Sequence, residues 1–252
     1  MVRTELAENG VSLYPGNAVT RVEKKDATLR VDCEEMSLEG EMVLVSIGVR
    51  PNSRIAEKAG IALGPEKAIA VDRSLLTSHK NIYAAGDCAD AYHVVTGEKT
   101  WIPLALRANR GGWAVADHVM GKKVTLQGIA GTAVFKVFGL QVAGTGLNGE
   151  EAVNAGFDPA EVTIKGRSRA HAHPGSCTIA VNMVGDRQTG RLLGVQMVGQ
   201  EGVAHRINAP AVALHAGMTV EAFGQCDLAY APPFSPVWDP MLTAANQLLK
   251  KL

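Results

Sequence analysis

Apolar positions in the first third of the chain recur at short range and are punctuated by turn residues. Val2 to Asn9 fits one short helix, with Gly10 placed to end it. Val11 to Tyr14 is a brief β-type run closed by Pro15-Gly16, and Ala18 to Val22 and Thr28 to Asp32 read as strands joined through Lys24-Lys25-Asp26. Glu39-Gly40 is a turn signal. Met42 to Ile47 follows as an almost unbroken apolar run, the pattern of a strand buried on both faces in the middle of a sheet. Ile69 to Val71 is another short strand. Asn81 to Ala85 is a strand that delivers the chain into Gly86-Asp87. The spacing from Leu104 to Met120 predicts a helix capped by Gly121, and Lys122-Lys123 reads as a surface link, so a domain boundary is expected near residues 121 to 126.

The remainder alternates more regularly. Strands are predicted at Ala133 to Phe138, Leu140 to Ala143, Glu161 to Lys165, Cys177 to Met183 and Leu192 to Val198, the last two joined by a hairpin turn at residues 186 to 190 and so antiparallel. Helices fit Gly149 to Ala155, Gly202 to Ala216, Val220 to Phe223 and Asp239 to Lys251, the last with Asp239 as N-cap and Pro240 as its first residue. The expected fold class is α/β in the first part and α+β, with an antiparallel sheet, in the second.

Composition narrows the function. The 252 residues are 46% hydrophobic and 20% charged, enough apolar material for a real core and too little charge for disorder. Lys plus Arg and Asp plus Glu are both 25, which leaves no electrostatic footprint for nucleic acid or an anionic membrane. No apolar run approaches the roughly 20 residues of a membrane span, and residues 1 to 10 lack the apolar block of a secretory signal. Cys33, Cys88, Cys177 and Cys226 are far apart, which fits a reducing cytoplasm better than a disulfide scaffold or zinc ribbon.

The sharpest chemical signal is Ile82-Tyr83-Ala84-Ala85-Gly86-Asp87. Small side chains and a glycine let a ligand approach the backbone, and the carboxylate that follows can accept hydrogen bonds from sugar hydroxyls. The segment Thr77 to Cys88 resembles the second FAD-binding segment of the pyridine nucleotide-disulfide oxidoreductases. Val43 to Asn52 is similar to the stretch between that family's NAD(P) and FAD regions, and Pro103 to Gly112 resembles the helix whose N-terminus faces the flavin ring. The later segments Phe135 to Phe138, Thr145 to Leu147, Gly194 to Gly199 and Asp227 to Ser235 resemble the dimerisation domain of the branch holding coenzyme A-disulfide reductases, NADH oxidases and persulfide reductases.

The resemblance implies three parts: residues 1–72, the C-terminal part of an NAD(P)-binding domain; residues 73–121, the second half of an FAD-binding domain; and residues 124–252, a dimerisation domain. It implies incomplete nucleotide-binding sheets in the first two and a complete core in the third. Gly86 and Asp87 would meet the flavin's ribitol and phosphate region, Leu104, Ala105 and Leu106 would offer backbone N–H groups to its ring, and Tyr230, ahead of the rigid Ala231-Pro232-Pro233 turn, would reach the partner's active site in a homodimer. The expected function is that of the C-terminal part of an FAD-dependent, NAD(P)H-using reductase of disulfide, persulfide or oxygen substrates.

The family's leading FAD fingerprint, its redox cysteine and its NAD(P) fingerprint find no counterpart here. The resemblance therefore places Met1 inside the late NAD(P) domain, and flavin binding by this chain unaided is not expected. A separate chain carrying the other half is a further possible partner. The alternative reading is a catalytically inactive chain that dimerises or binds a partner polypeptide. Gly144-Thr145-Gly146-Leu147-Asn148-Gly149 is a literal G-x-G-x-x-G, but the helix after it is short and no ribose-binding carboxylate follows the next strand, so a strand-turn-helix corner is expected instead. His171, His173, His205 and His215 lack companions at metal-ligand spacing. Where the branch often has Tyr-Tyr-Pro-Gly, this chain reads His171-Ala172-His173-Pro174-Gly175, a departure that counts against coenzyme A disulfide as substrate.

Overall fold

Backbone turns, placed where glycine tolerates them, set the first elements. In the computed structural model, which describes all 252 residues, the chain divides into residues 1–49 and residues 50–252. In the first unit, α1 (Val2–Glu8) ends as expected: Gly10 takes φ +76°, its N–H bonds the Ala7 carbonyl at 3.0 Å, and Val11 N–H bonds that of Leu6 at 2.9 Å. β1 (Val19–Lys25), β2 (Thr28–Cys33) and β3 (Ser37–Gly40) form an antiparallel meander in that order. The β1–β2 turn centres on Asp26 and Ala27, with Asp26 at φ +45°.

Two expected strands do not form. Val11 to Tyr14 pairs with nothing, and Met42 to Ile47, expected as a buried central strand, is extended and exposed, Met42 at 84% and Ile47 at 92%. An apolar run on both faces records that a strand is meant to be sandwiched, but a ladder needs a neighbour, and β1 to β3 pair only with one another.

The second unit holds two cores. The smaller gathers Ala56 of α2 (Arg54–Lys58) with Ile61, Ile69, Val71, Leu75, Ala84, Ala89 and Ala114. Residues 50–72 thus share one core with residues 73–121, and no contact boundary falls at residue 72. The expected strands at 69–71 and 81–85 are reduced to isolated pairings, Ile69 with Leu63 and Ala89, and Leu76 with Tyr83. The two-residue strands β4 (Ala91–Tyr92) and β5 (Lys99–Thr100) form a hairpin whose tip buries Val95 in the larger core. α3 (Ala105–Val119) then ends at Gly121, φ +84°.

The larger core lies on a five-stranded antiparallel sheet in the order β6 (Ala133–Val137), β7 (Leu140–Gly146), β10 (Leu192–Gly199), β9 (Thr178–Asp186), β8 (Pro159–Arg167). Ile179, Val181, Met183, Leu193 and Val195 are fully buried, each contributing about 1.5–3 kcal/mol of apolar burial. Five helices accompany the sheet: α4 (Gly149–Asn154), α5 (Val203–Arg206), α6 (Asn208–His215), α7 (Val220–Gly224) and α8 (Pro240–Leu248). The helix expected from 202 to 216 breaks at Ile207, which puts Pro210 in the first turn of α6, where its missing N–H costs no helical bond. Asp239 caps α8 as expected, accepting from Met241 N–H at 2.9 Å.

The G-x-G-x-x-G stretch has a packing explanation. Gly146 sits at φ +70°, and a Cβ there would lie 2.2 Å from the Leu193 carbonyl oxygen. The N-terminus of α4 is closed by a capping box between Asn148 and Glu151, and Glu161 crowds Gly149, so carboxylates stand where a phosphate would go. Gly146→Ala should cost roughly 2 kcal/mol or more in urea unfolding, from left-handed strain plus the clash. NADPH titrated against the unmodified chain should show no saturable binding dependent on this corner.

His93 is buried at the β4–β5 hairpin, and its Nδ1 accepts the Val95 N–H at 3.2 Å. Burial pushes its pKa below the ordinary histidine value, with Glu151 opposing weakly. The unfolded chain therefore takes up a proton near pH 6.5 that the folded state resists, so stability falls as pH drops through about 6.5. Melting temperatures between pH 8 and 5 should decline, and His93→Asn, which keeps an acceptor for Val95, should flatten that decline.

Candidate functional site

The Gly86 turn is made by one pairing and one reversal. Thr77 N–H bonds the Ile82 carbonyl at 2.9 Å and Ala84 N–H that of Leu75 at 3.1 Å, which carries the chain to Gly86. Gly86 takes φ +87°, and Ala89 N–H closes the turn on its carbonyl at 3.2 Å. The small residues on both sides let α3 lie against this turn: a Cβ on Gly111 would be 3.3 Å from Ala85 Cβ, and one on Gly86 would be 3.9 Å from Ala108 Cβ.

Two long side chains fix the turn. Arg107 donates to the Gly86 carbonyl at 2.9 Å and to the Asp90 carbonyl, and Trp101 Nε1 donates to the Asp87 carbonyl at 2.7 Å. Burial pulls the Arg107 pKa down, while Asp90, Cys88 and Asp87 oppose it. Asp87 is left exposed with its carboxylate free of hydrogen bonds. Leu104 is the extended N-cap of α3, and the first helical bond runs from Ala108 N–H to the Leu104 carbonyl at 3.0 Å. The N–H groups of Ala105, Leu106 and Arg107 precede that bond and have no partner within the helix.

A cleft of about 310 Å³ opens at this helix end, lined by Leu104, Ala105, Leu106 and Arg107 and, across it, by Gly131 to Val134. A second, of about 330 Å³, adjoins it through Arg107, Arg110 and His215. Its wall includes Asp90, a fully buried carboxylate that accepts from Val71 N–H at 3.0 Å and Lys99 Nζ at 2.8 Å. Arg73 and Lys99 both lie over the Tyr92 ring, at 4.2 and 4.4 Å.

The structure thus brings five of the expected residues, Gly86, Asp87, Leu104, Ala105 and Leu106, to one neighbourhood. Tyr230 is not joined to them by any hydrogen bond and lines neither cleft; it stands 50% exposed ahead of the turn closed by Phe234 and Ser235 N–H on the Ala231 carbonyl. Arg107, Trp101 and Asp90 were not singled out in the sequence, where an arginine inside an expected helix carries no mark of a bond to a turn 21 residues earlier. Cys88 donates its thiol to the Ala85 carbonyl, and no group of three or more His, Cys, Asp or Glu side chains is placed to hold a metal.

This donor set fits one flank of a flavin: an exposed carboxylate for hydroxyl groups, a glycine turn for close approach, and free N–H groups with the positive end of a helix dipole for an electron-rich ring edge.

Residues 1–112 match the model described as pyridine nucleotide-disulphide oxidoreductase, and residues 132–241 match that family's dimerisation domain. The chain is 38% identical to an NAD(P)H sulfur oxidoreductase (CoA-dependent) of Pyrococcus abyssi over 97% of its own length and 54% of the relative's. It is 36% identical to an NAD(P)H coenzyme A polysulfide/persulfide reductase of Pyrococcus horikoshii over 97% and 55%. Among solved structures, an NAD-dependent persulfide reductase from A. fulgidus superposes with a TM-score of 0.95 at 36% identity, covering 99% of this chain and 46% of that one. The chain spans about half the length of the curated relatives it matches. With only residues 113–131 and 242–252 outside the two family matches, the chain belongs to the pyridine nucleotide-disulphide oxidoreductases.

Proposed function

We propose that this chain supplies the flavin-flanking and subunit-pairing part of an FAD-dependent, NAD(P)H-using oxidoreductase that reduces disulfide, persulfide or oxygen substrates. The observation that carries this is the Gly86–Asp87 turn seated against the open N-terminus of α3. Flavin, when bound, supplies the chemistry of accepting hydride from a nicotinamide and passing electrons on to sulfur or oxygen. Asp87 accepts hydrogen bonds from the cofactor's hydroxyls. Gly86, having no Cβ, lets the cofactor approach, and Leu104, Ala105 and Leu106 direct backbone N–H groups at the ring. Arg107 keeps the turn and the helix end in register.

Subunit pairing is supported by the dimerisation-domain match and by exposed apolar side chains inside it, Phe234, Val237 and Trp238, on the same loop as Tyr230. In a twofold dimer each of these surfaces meets its own copy or a neighbouring patch. Tyr230 acts across that interface, its phenol donating a hydrogen bond or proton to a departing thiolate. The names of the relatives, sulfur and persulfide reductases that use NAD(P)H, support a small sulfur compound as substrate.

Three outcomes test this reading. Sedimentation should give a dimer, and Phe234→Asp should shift it toward monomer; a monomeric unmodified chain would overturn the pairing. In any preparation that holds flavin, Asp87→Ala should weaken FAD affinity about tenfold, the worth of one lost hydrogen bond to a charged group, with the melting temperature nearly unchanged. In NAD(P)H-consumption assays with a disulfide or persulfide, run with a polypeptide carrying the other half of the enzyme, Tyr230→Phe should lower turnover about tenfold or more. A chain that dimerises yet neither takes up flavin nor turns over even when a polypeptide carrying the other half is supplied fits the pairing-module reading instead.

A further inference from the structure

Two loops meet at one guanidinium. The first, residues 168–177, joins β8 to β9, and the second, residues 227–238, leads to α8. A single direct bond links them, Ala170 N–H to the Pro232 carbonyl at 3.0 Å. Arg206, the last residue of α5, does the rest. Its Nε donates to Asp239 Oδ2 at 2.7 Å, its Nη1 to the Gly202 carbonyl at 3.1 Å, and its Nη2 both to the Ser168 carbonyl at 3.0 Å and to that of Phe234 at 2.9 Å. One rigid fork therefore holds the base of both loops.

The anchors around it are also committed. The Arg206 and Asp239 side chains are 11% and 8% exposed. Asp239 caps α8 and accepts the Ser235 hydroxyl at 3.2 Å. Arg169 grips Glu201 and donates to the Pro174 carbonyl at 3.0 Å, bracing the first loop from its other side. Gly202, at φ +75°, leaves the space the fork needs: a Cβ there would lie 2.0 Å from Arg206 Nη1. By contrast, Tyr230, Phe234, Val237 and Trp238, all on the second loop, are half or more exposed.

A buried ion pair is often no more stabilising than an apolar pair of the same volume, because both charges lose their hydration. What an arginine adds is direction: a planar set of donors that fixes several carbonyls at once. We propose that Arg206 and Asp239 are positioning residues that clamp the two loops into one preset surface, so that Tyr230 and the apolar side chains behind it meet a second copy of this chain already in place. The inference rests on the reading of this face as the subunit-pairing surface.

The test is hydrogen exchange on the full chain, read peptide by peptide, beside sedimentation. Arg206→Lys keeps the charge opposite Asp239 but cannot reach Ser168 and Phe234 together. Exchange in residues 168–177 and 227–238 should rise about tenfold or more while β9 and β10 exchange as before, and dimer dissociation should rise in step. Arg206→Met with Asp239→Asn removes both charges and leaves a residue able to cap α8; it should show the same split. Unchanged exchange in both loops, or loops and sheet accelerating together, overturns the clamp. So does failure of Arg206→Lys to fold, since Arg206 would then serve the fold at large. If the double variant alone fails to fold, Arg206→Lys decides. Tyr230→Phe, assayed with a polypeptide carrying the other half of the enzyme, separates the two ideas: full turnover in that variant retires the role of Tyr230 and leaves the exchange result standing, whereas a dimer that persists with loose loops in Arg206→Lys retires the clamp alone.

Discussion

The hydrogen bonds from Arg107 to the carbonyls of Gly86 and Asp90 are the constraint on which the candidate site depends. A glycine turn is soft by nature, and a helix end has no preferred neighbour unless something ties it down. Arg107 sits in the first turn of that helix and reaches back across the loop, so the turn and the free N–H groups are presented together. Its charge is half-buried, and Asp90, Cys88 and Asp87 counter only part of the cost of desolvating it. Gly111 and Ala108 complete the arrangement by being small enough to let the two elements touch.

Much of this was legible in the sequence. The hairpin at residues 186 to 190, the Asp239-Pro240 helix start and the Gly10 and Gly121 helix ends all follow from local chemistry, and the structure forms them as read. The Gly86–Asp87 turn and the helix after it were legible because small residues, glycine and carboxylate fall in a distinctive order. Arg206 with Asp239 and Arg107 with Gly86 were not, because they join residues 33 and 21 apart and neither arginine differs in pattern from a surface one. A pairing of that kind is decided by tertiary packing alone.

The Met42 to Ile47 run departs from its hydrophobic pattern for a related reason. Hydrophobicity on both faces reports the surroundings a strand requires, not the strands that provide them. Residues 1–49 offer three strands that already satisfy one another, and the apolar run stays outside the ladder. The strands expected at 69–71 and 81–85 fall short in the same way, as isolated bridges, although their side chains do reach a common core.

The β4–β5 hairpin has a consequence for how residues 50–252 hold together. Val95 at its tip is inserted into the core of the large sheet, Val94 N–H bonds the Ile129 carbonyl, and Arg191 reaches the Val95 carbonyl. The polypeptide link at residues 121 to 126 is therefore not all that joins the part holding the Gly86 turn to the sheet. A peg and socket joins them as well, and a displacement of the Asp90–Tyr92 segment at the cleft wall has a mechanical route into the sheet that bypasses the covalent chain.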